Sequence, residues 1–304
     1  MSRFLDIFYV WNTIQIKLRA LRLCIARGSY PYHFFRNQID VVATVSYDLD
    51  FQDAYLSFGY LNYQKALHLH KGDRSITQEL ILGLVYYNEL KNNPHLDSNH
   101  ILDLAIRLQV KAESTENGLI FYFTQPYSRF DVRGKYASGI VQGKAASLFL
   151  RCFKLSQDDK YKKWAKACLI GAWHTIDQGG TLRFLSNDLC WVEEYPSPKP
   201  SMVLNGFLFY IIGLAEFQTM ENDEEIESML NQSIKTVLTW LPKFKLKNGL
   251  LYSMYRWNLC NVHYTGIMHY QFEHLFLLTG IPEYKEYAVF TNGLTNWKTF
   301  SRII

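Results

Sequence analysis

The stretch that decides the fold is EEIESMLNQSIKTVLTWLPKFKLKNGLLYS, residues 224–253. In its first part, residues 224–241, apolar residues recur at three-to-four spacing, which predicts an amphipathic helix. In its last part, residues 247–253, a turn-forming Gly249 precedes an apolar run, which predicts a short strand. A helix that leads through a glycine turn into a short strand is therefore a unit of this fold.

The glycine turn and strand occur at two earlier points of the chain. Residues 116–123, ENGLIFYF, and residues 178–184, QGGTLRF, repeat the pattern around Gly118 and Gly180. Internal repetition at comparable intervals indicates repeated supersecondary units.

Each of these strands is preceded by two segments with helical periodicity. The pairs are 76–90 with 101–112, 141–153 with 161–176, and 203–217 with 224–241, and a fourth pair, 268–278 with 283–297, closes the chain. The pattern predicts a mainly α fold, an α/α toroid of about four helical hairpins with short β-strands at the cleft end. An open helical solenoid is the alternative, because a repeat does not show whether the ring closes.

The first part of the chain does not fit this repeat. Residues 1–27 join an apolar stretch to basic residues, which predicts an amphipathic basic helix, and residues 41–45, VVATV, predict a strand. We therefore expect an N-terminal helix and an irregular or β arm over residues 1–74, and the toroidal catalytic domain over residues 75–304. The charges of the first helix mostly follow its apolar part, so a secretion signal is not expected.

Composition limits the classes of function. Aromatic residues make up 16% of the chain, and aromatic side chains often line sugar-binding grooves, although packing of a helical core accounts for most of them. The net charge of +4 is spread along the chain, which argues against a nucleic-acid partner and leaves an anionic substrate open. No apolar run approaches the length of a membrane span, so no integral membrane segment is expected.

The cysteines indicate a reducing compartment. Cys24, Cys152, Cys168, Cys190 and Cys260 are odd in number and far apart, which predicts free, mostly buried thiols and no zinc site. We expect a cytoplasmic location, with attachment to the periphery of a membrane through the basic helix as the alternative. A homodimer is a further expectation.

Residues 191–207, WVEEYPSPKPSMVLNGF, hold the groups best suited to chemistry. Three prolines keep the backbone extended as far as Ser201, which is the expected N-cap of the next helix. On an extended segment Glu193 and Glu194 point to opposite sides, so only one of them faces a cleft. Glu194 beside Tyr195 suits proton transfer at a carbon acid. The alternative is that both glutamates are solvated surface carboxylates.

This segment resembles the signature of the D-glucuronyl C5-epimerase family, a Trp-aromatic-Glu-Glu-Tyr-Pro run followed by a Val-Leu-Asn-Gly-Phe helix start. Residues 137–147, ASGIVQGKAAS, are similar to the family's Ala-Met-Ala-Gln-Gly-Gln-Ala-x-Ser helix. Tyr252 fills the place of the family's strand tyrosine, and residues 270–275, YQFEHL, match its Tyr-His-x-x-His-Ile helix.

The resemblance implies a polysaccharide uronate C5-epimerase that converts D-glucuronate to L-iduronate residues in a heparosan-like polymer. Such an enzyme removes the C5 proton and returns one to the opposite face, and its partner is an anionic, uronate-containing polysaccharide. The resemblance implies Glu194 as the base or its partner, Tyr252 and Tyr270 as transfer or enolate-stabilising groups, and Tyr195 as support. No cofactor and no metal are expected.

Further residues are expected to bind the substrate. The guanidinium groups of Arg133 and Arg183 can each offer two parallel hydrogen bonds to a uronate carboxylate. Tyr270 and His274 lie four residues apart, so they share one face of a helix, and the alternative is that they form a satisfied pair in the core. With the matching motifs, the expected substrate-binding residues are Trp191, Gln142, Asn205, Arg133, Arg183 and His274.

Three other functions are alternatives. A polysaccharide lyase on the same fold shares the proton abstraction but then expels the 4-linked sugar, and the fold alone does not separate the two. A glycoside hydrolase needs an opposed pair of carboxyl groups, such as Glu194 with Asp131 or Asp177, and nothing in the sequence supports that pair. The third alternative is a non-catalytic glycan-binding protein.

Overall fold

A computed structural model describes residues 75–295 except residues 94, 117, 248, 256, 257 and 261. The helix and arm predicted for residues 1–74 lie outside this part of the chain. The division into two domains therefore stays a prediction.

The helices of the described region form four consecutive hairpins. They are α1 (Ile76–Asn92), α2 (Asn99–Lys111), α3 (Gly139–Ser156), α4 (Asp159–Trp173), α5 (Leu204–Met220), α6 (Glu224–Phe244), α7 (Val262–Thr279) and α8 (Pro282–Thr295). The first helices of the hairpins, α1, α3, α5 and α7, pack side by side in that order, and each also packs against its own second helix. The predicted mainly α fold of helical hairpins is confirmed.

Sequence decides which helices lie inside. Helix α5 is apolar on every side, as expected for a helix surrounded by protein, and its residues are buried from Leu204 to Phe217. Helix α6 is amphipathic instead: apolar side chains such as Ile226 and Val237 are buried, while its first turn carries exposed glutamates. At Gly143 in α3, a Cβ atom would lie 2.5 Å from the carbonyl oxygen of Phe209, so only glycine permits this approach of α3 to α5.

The strands lie in the connections between helices and form small antiparallel sheets. The pairs are β1 (Glu113–Thr115) with β2 (Gly118–Ile120), β3 (Tyr122–Phe123) with β4 (Tyr136–Ala137), and β5 (Leu182–Ser186) with β6 (Leu189–Val192), while β8 (Gly249–Ser253) lies between β7 (Lys245–Leu246) and β9 (Asn258–Leu259). In register, Leu182 is opposite Val192 and Leu251 is opposite Leu259. The three strands predicted after glycine turns are therefore present.

One local prediction was wrong. The N-cap of α5 is Val203 rather than Ser201, and no side-chain cap hydrogen bond is made there. The hydroxyl of Ser201 instead donates to the carboxylate of Glu193, and Met202 has a left-handed backbone with φ of 43°. The nearby buried carboxylate therefore takes the hydroxyl that the sequence assigned to the helix end.

Two further expectations concern free cysteine thiols and membrane-spanning segments. Cys152, Cys168, Cys190 and Cys260 are buried and free, as predicted, and Cys24 lies outside the described residues. Among the described helices, none is both long enough and apolar enough to cross a membrane.

Candidate active site

Glu194 stands at the centre of the site, two residues after the end of strand β6. The start of α3 fixes its backbone: the hydroxyl of Ser138 donates to the carbonyl oxygen of Glu194 over 2.8 Å, and the amide of Gly139 donates to the carbonyl oxygen of Glu193 over 2.9 Å. Its side chain is buried against the first turn of α5, where a Cβ atom on Gly206 would lie 2.6 Å from its Oε2. The carboxyl group therefore occupies space that only glycine leaves open.

Burial makes this carboxyl group a neutral-pH acid. Loss of water around Glu194 raises its pKa to about 7, against the opposing effects of hydrogen bonding from Tyr195 and Tyr252 and of the positive charges of Lys144 and Arg129. Its Oε2 atom is buried without a hydrogen-bond partner among the described residues. A carboxyl group with a pKa near 7 can take up and release a proton at ordinary pH.

Three tyrosines surround this carboxyl group. Burial first, and the nearby Glu194 charge second, raise the pKa of Tyr195, of Tyr252 and of Tyr264 above the ordinary value. The rings of Tyr252 and Tyr264 lie 4.6 Å apart between centroids, although the first belongs to β8 and the second to α7. Hydroxyls with raised pKa values keep their protons, so these groups suit donation of a proton or a hydrogen bond.

A buried lysine completes what we call the Glu194 cluster, which consists of Glu194, Tyr195, Tyr252, Tyr264 and Lys144. Lys144 projects from α3, and its Nζ lies 4.2 Å from the centroid of the Phe209 ring. Burial lowers its pKa to about 8, against the attraction of Glu194. An ammonium group at this place offers a positive charge to a neighbouring carboxylate.

Sequence reasoning missed both Tyr264 and Lys144. A signal existed for Lys144, because it stands where the family's helix motif has its second glutamine. Nothing in the sequence distinguishes Tyr264 from the other tyrosines, of which the chain has 21 in all. It lies at the start of a helix whose direction is set only by tertiary packing.

Aromatic side chains form one wall beside the cluster. The ring of Tyr195 stacks on those of Tyr127 and Phe130, with 4.6 Å between centroids in each case, and the latter two rings lie 5.9 Å apart. Tyr136 on β4 lies near Glu194, and burial raises its pKa to about 12. Flat apolar faces with polar tips suit a pyranose ring, so this wall can bind a sugar.

The two adjacent glutamates have different surroundings. The Glu193 carboxylate is fully buried and accepts hydrogen bonds from Nε of Arg183 over 3.0 Å and from the backbone amides of Ser201 and Met202 over 3.0 and 2.9 Å. Arg183 also donates to the carbonyl oxygen of Ser197. Glu193 and Arg183 therefore hold the proline segment in place, and the Arg183 guanidinium is engaged within the protein.

Other residues expected to bind substrate lie behind the cleft. Trp191 has no exposed surface and packs between Phe207 and Phe244 in the core. Gln142 is also fully buried, where its side-chain amide donates to the carbonyl oxygens of Leu119 and Cys168 over 2.8 and 3.0 Å. Both positions support the cleft from within the protein, and direct contact with substrate stays a prediction for each.

Asn205 and His274 are buried as well. The backbone oxygen of Asn205 accepts a hydrogen bond from Gln271 over 2.8 Å, and its Oδ1 has no partner among the described residues. Nε2 of His274 lies 3.0 Å from Oε1 of Glu216, whose carboxylate also pairs with Arg151. His274 thus belongs to a buried ion network between α3, α5 and α7.

Tyr270 and Tyr264 face different directions from the same helix. They are six residues apart in α7, a rotation of about 240°. The ring of Tyr264 contacts that of Tyr252, and the ring of Tyr270 lies 4.7 Å from that of its sequence neighbour His269. The assignment of Tyr270 to the chemistry stays a prediction.

Arg133 is exposed. It lines an open groove next to the aromatic wall.

In the part of the chain that the structure describes, no three His, Cys, Asp or Glu side chains are grouped as metal ligands would be.

Fold and site together define an α/α toroid protein with a buried acid–base cluster in an aromatic cleft. A family model described as the D-glucuronyl C5-epimerase C-terminus matches residues 117–298, and the chain belongs to this family. The resemblance seen in the sequence motifs is confirmed.

Two curated proteins are similar to this chain. The D-glucuronyl C5-epimerase of Caenorhabditis elegans is 26% identical over 291 residues, which cover 88% of this chain and 46% of that protein. An uncharacterized protein of Methanocaldococcus jannaschii, MJ1128, is 19% identical over 172 residues, which cover 56% of each. The chain thus spans about half the length of the curated relatives it matches.

A solved structure shares the fold. The crystal structure of a D-mannose isomerase matches with a TM-score of 0.50 at 12% identity, over 72% of this chain and 58% of that one. At this identity the likeness shows the fold alone.

Proposed function

We propose that this chain is a polysaccharide uronate C5-epimerase that converts D-glucuronate to L-iduronate residues in a heparosan-like polymer. The observation that carries the proposal is the buried Glu194 carboxyl group, whose pKa is raised to about 7 between the hydroxyls of Tyr195 and Tyr252. Membership of the D-glucuronyl C5-epimerase family supports the choice of reaction.

The reaction needs a base on one face of the sugar and an acid on the other. Removal of the C5 proton leaves an enolate, which is stabilised when the adjoining carboxylate is neutralised or hydrogen-bonded. In our proposal the ionised Glu194 takes the C5 proton. A neutral tyrosine hydroxyl donates a proton to the opposite face, and the charge of Lys144 stabilises the enolate.

The hydrogen bonding within the cluster lets the site return to its starting state. After one turnover Glu194 holds the abstracted proton and the donating tyrosine has lost one. Tyr252 is hydrogen-bonded both to Glu194 and to Tyr264, so its oxygen can accept the proton of the carboxyl group while its own proton passes to an ionised Tyr264. The charge of the cluster is then restored without a cofactor in the proton balance.

Tyr252 on β8 is hydrogen-bonded to the Glu194 carboxyl group, so it shares the side of a bound sugar on which Glu194 acts. We therefore assign the role of donor to Tyr264, which belongs to a different element, α7, and is hydrogen-bonded to Tyr252. Tyr195, stacked in the aromatic wall, supports Glu194, and Tyr270 is retained as the candidate that the family motif implies.

Incubation with heparosan in deuterated water tests the proposal, with C5 followed by NMR. Deuterium at C5 in chains of unchanged length is the expected result. New unsaturated ends would instead show a lyase, and shortened saturated chains a hydrolase. Binding of the polymer with none of these changes would show a non-catalytic glycan-binding protein.

A matched pair of variants ties the result to the cluster. Glu194→Gln removes the base and is expected to lower the exchange rate by about a thousandfold, within the range for general base catalysis. Glu227→Gln changes an exposed glutamate on α6 and is expected to leave the rate unchanged. Equal rates in the two variants would remove Glu194 from the reaction.

A further inference from the structure

Tyr136 lies on strand β4, two residues before Ser138, the N-cap of helix α3. The backbone stays extended from β4 through Ser138, whose φ is −138° and ψ is 122°. In an extended backbone, side chains two residues apart point to the same side. On that side the hydroxyl of Ser138 donates to the carbonyl oxygen of Glu194 over 2.8 Å. The side chain of Tyr136 is therefore directed toward Glu194.

The paired strand β3 holds the ring of Tyr136 in place. Phe123 is opposite Tyr136 in register, and the two rings stack with 5.2 Å between centroids. Tyr122, which precedes Phe123 on β3, belongs to the other face of this strand pair. There its hydroxyl donates to the carbonyl oxygen of Gly179 over 3.0 Å. One strand pair thus carries two tyrosines, one directed to Glu194 and one bonded within the protein.

The hydroxyl of Tyr136 is available to a ligand. The residue is half-buried, and among the described residues its hydroxyl makes no hydrogen bond. The other tyrosines near the carboxyl group are already engaged: Tyr195 and Tyr252 are hydrogen-bonded to Glu194, and Tyr264 is hydrogen-bonded to Tyr252. Tyr136 therefore adds a donor that the protein itself does not use.

The chemistry of the sugar indicates which group this donor meets. In a uronate the carboxylate is attached to C5, the carbon from which Glu194 is proposed to take the proton. Burial and the charge of Glu194 raise the pKa of Tyr136 to about 12, so its hydroxyl keeps its proton and can donate a hydrogen bond. When the C5 proton leaves, negative charge moves onto the carboxylate oxygens, and a hydrogen bond to them becomes stronger.

We propose that Tyr136 is a further catalytic residue, whose hydroxyl donates a hydrogen bond to the carboxylate of the reacting uronate and stabilises the enolate together with the charge of Lys144. This proposal rests on the proposed function, because it takes the reacting sugar to be a uronate. Tyr136 keeps its own proton throughout, and the proton from C5 goes to Glu194. A bond that strengthens as the enolate forms raises the rate more than it raises the affinity.

Two trisaccharides test the contact by calorimetric titration. One has a single glucuronate between two N-acetylglucosamine units, and the other has glucose in place of the glucuronate, so that a hydroxymethyl group replaces the carboxylate. Tyr136→Phe removes the hydroxyl and keeps the ring that stacks on Phe123. We expect this variant to bind the glucuronate trisaccharide about tenfold more weakly than wild type, for one hydrogen bond to a charged group, and to bind the glucose trisaccharide equally well.

Tyr122→Phe is the matched control, because it removes the same atom from the opposite face of the same strand pair. Its affinity for both trisaccharides should equal that of wild type, and thermal unfolding checks that each variant folds. Equal weakening of both trisaccharides by Tyr136→Phe would show that its hydroxyl contacts another part of the sugar. That result, unchanged binding of both, or no binding of the glucuronate trisaccharide by wild type would each overturn the proposal.

Deuterium exchange at C5 of heparosan separates this proposal from the proposed function. At saturating polymer, Tyr136→Phe is expected to lower the exchange rate by about a hundredfold, as for loss of one donor to a developing oxyanion, and Tyr122→Phe to leave it unchanged. Exchange by wild type with an equal rate in Tyr136→Phe removes Tyr136 and keeps the epimerase. Selective weakening of glucuronate binding without exchange in any protein keeps the carboxylate contact and removes the epimerase.

Discussion

Two buried glutamates, Glu194 and Glu216, show how differently one fold can treat the same side chain. Burial raises the pKa of Glu194 to about 7, and the partners of this group only reduce the shift. Burial also disfavours the charge on Glu216, but the Arg151 charge and hydrogen bonds from His274 and Arg151 outweigh it and hold the pKa well below its usual range.

The contacts of the two carboxyl groups explain why their pKa values shift in opposite directions. Arg151 donates to both oxygens of Glu216 over 2.8 and 2.7 Å, which is the bidentate arrangement of a strong ion pair. Among the described residues, Oε2 of Glu194 has no hydrogen-bond partner, although the hydroxyls of Tyr195 and Tyr252 bond to this carboxyl group. A fully paired carboxylate joins helices, whereas a partly paired one can exchange a proton. The lesson is that the partner, and not burial, decides the role.

Removal of one partner of the ion pair should have the largest effect on stability. Arg151→Met removes the bidentate partner of the buried Glu216 carboxylate, which keeps its contact with His274, and is expected to lower the free energy of unfolding by about 3–5 kcal/mol. Denaturant unfolding measures this, with Glu194→Gln as the comparison, which is expected to keep or raise stability at neutral pH. If both variants unfold like wild type, the contrast between the two sites is wrong.

Local sequence patterns were sufficient for the helical hairpins and for the strand that carries Tyr252. They also predicted that Glu193 and Glu194 would point apart, because an extended backbone alternates its side chains. They did not predict that Lys144 and Tyr264 lie near Glu194. These residues lie on α3 and α7, and only the packing of inner helices decides which of their faces meet the loops.

Stability should depend on pH in opposite ways at the two sites. The pKa of Glu194 rises from 4.5 to about 7, so between these pH values the folded state keeps a proton that the unfolded state releases, and stability falls as pH rises. Wild type is expected to lose up to about 3 kcal/mol relative to Glu194→Gln over this window.

The contribution of Glu216 to stability changes with pH in the opposite direction to that of Glu194. Its pKa is lowered from 4.5, so its stabilising effect is fully present above that pH and is lost as the pH falls below it. Unfolding of wild type, Glu194→Gln and Glu216→Gln across acidic to neutral pH gives both slopes. A constant difference between wild type and either variant at every pH would contradict the assignment for that residue.

The smallest expected effect is a difference in the rate of C5 exchange between variants of two tyrosines of α7. Tyr264→Phe removes a hydroxyl beside Tyr252 and is expected to lower C5 exchange by about tenfold or more, the lower end of general acid–base contributions. Tyr270→Phe is expected to lower C5 exchange less, because Tyr270 is rotated about 240° around α7 from Tyr264, which contacts Tyr252. Thermal unfolding checks that both variants fold, and a larger loss in Tyr270→Phe would restore the assignment taken from the family motif.

The central claim is that the ionised Glu194 carboxyl group removes the C5 proton. The rate of deuterium incorporation into heparosan, measured against pH for wild type and Lys144→Met, tests it most directly. The wild-type rate should fall as the pH drops below about 7, and the fall should begin at higher pH in Lys144→Met, because the Lys144 charge lowers the pKa of Glu194. A wild-type rate that stays constant through pH 7, or the same pH profile in both proteins, would contradict the account.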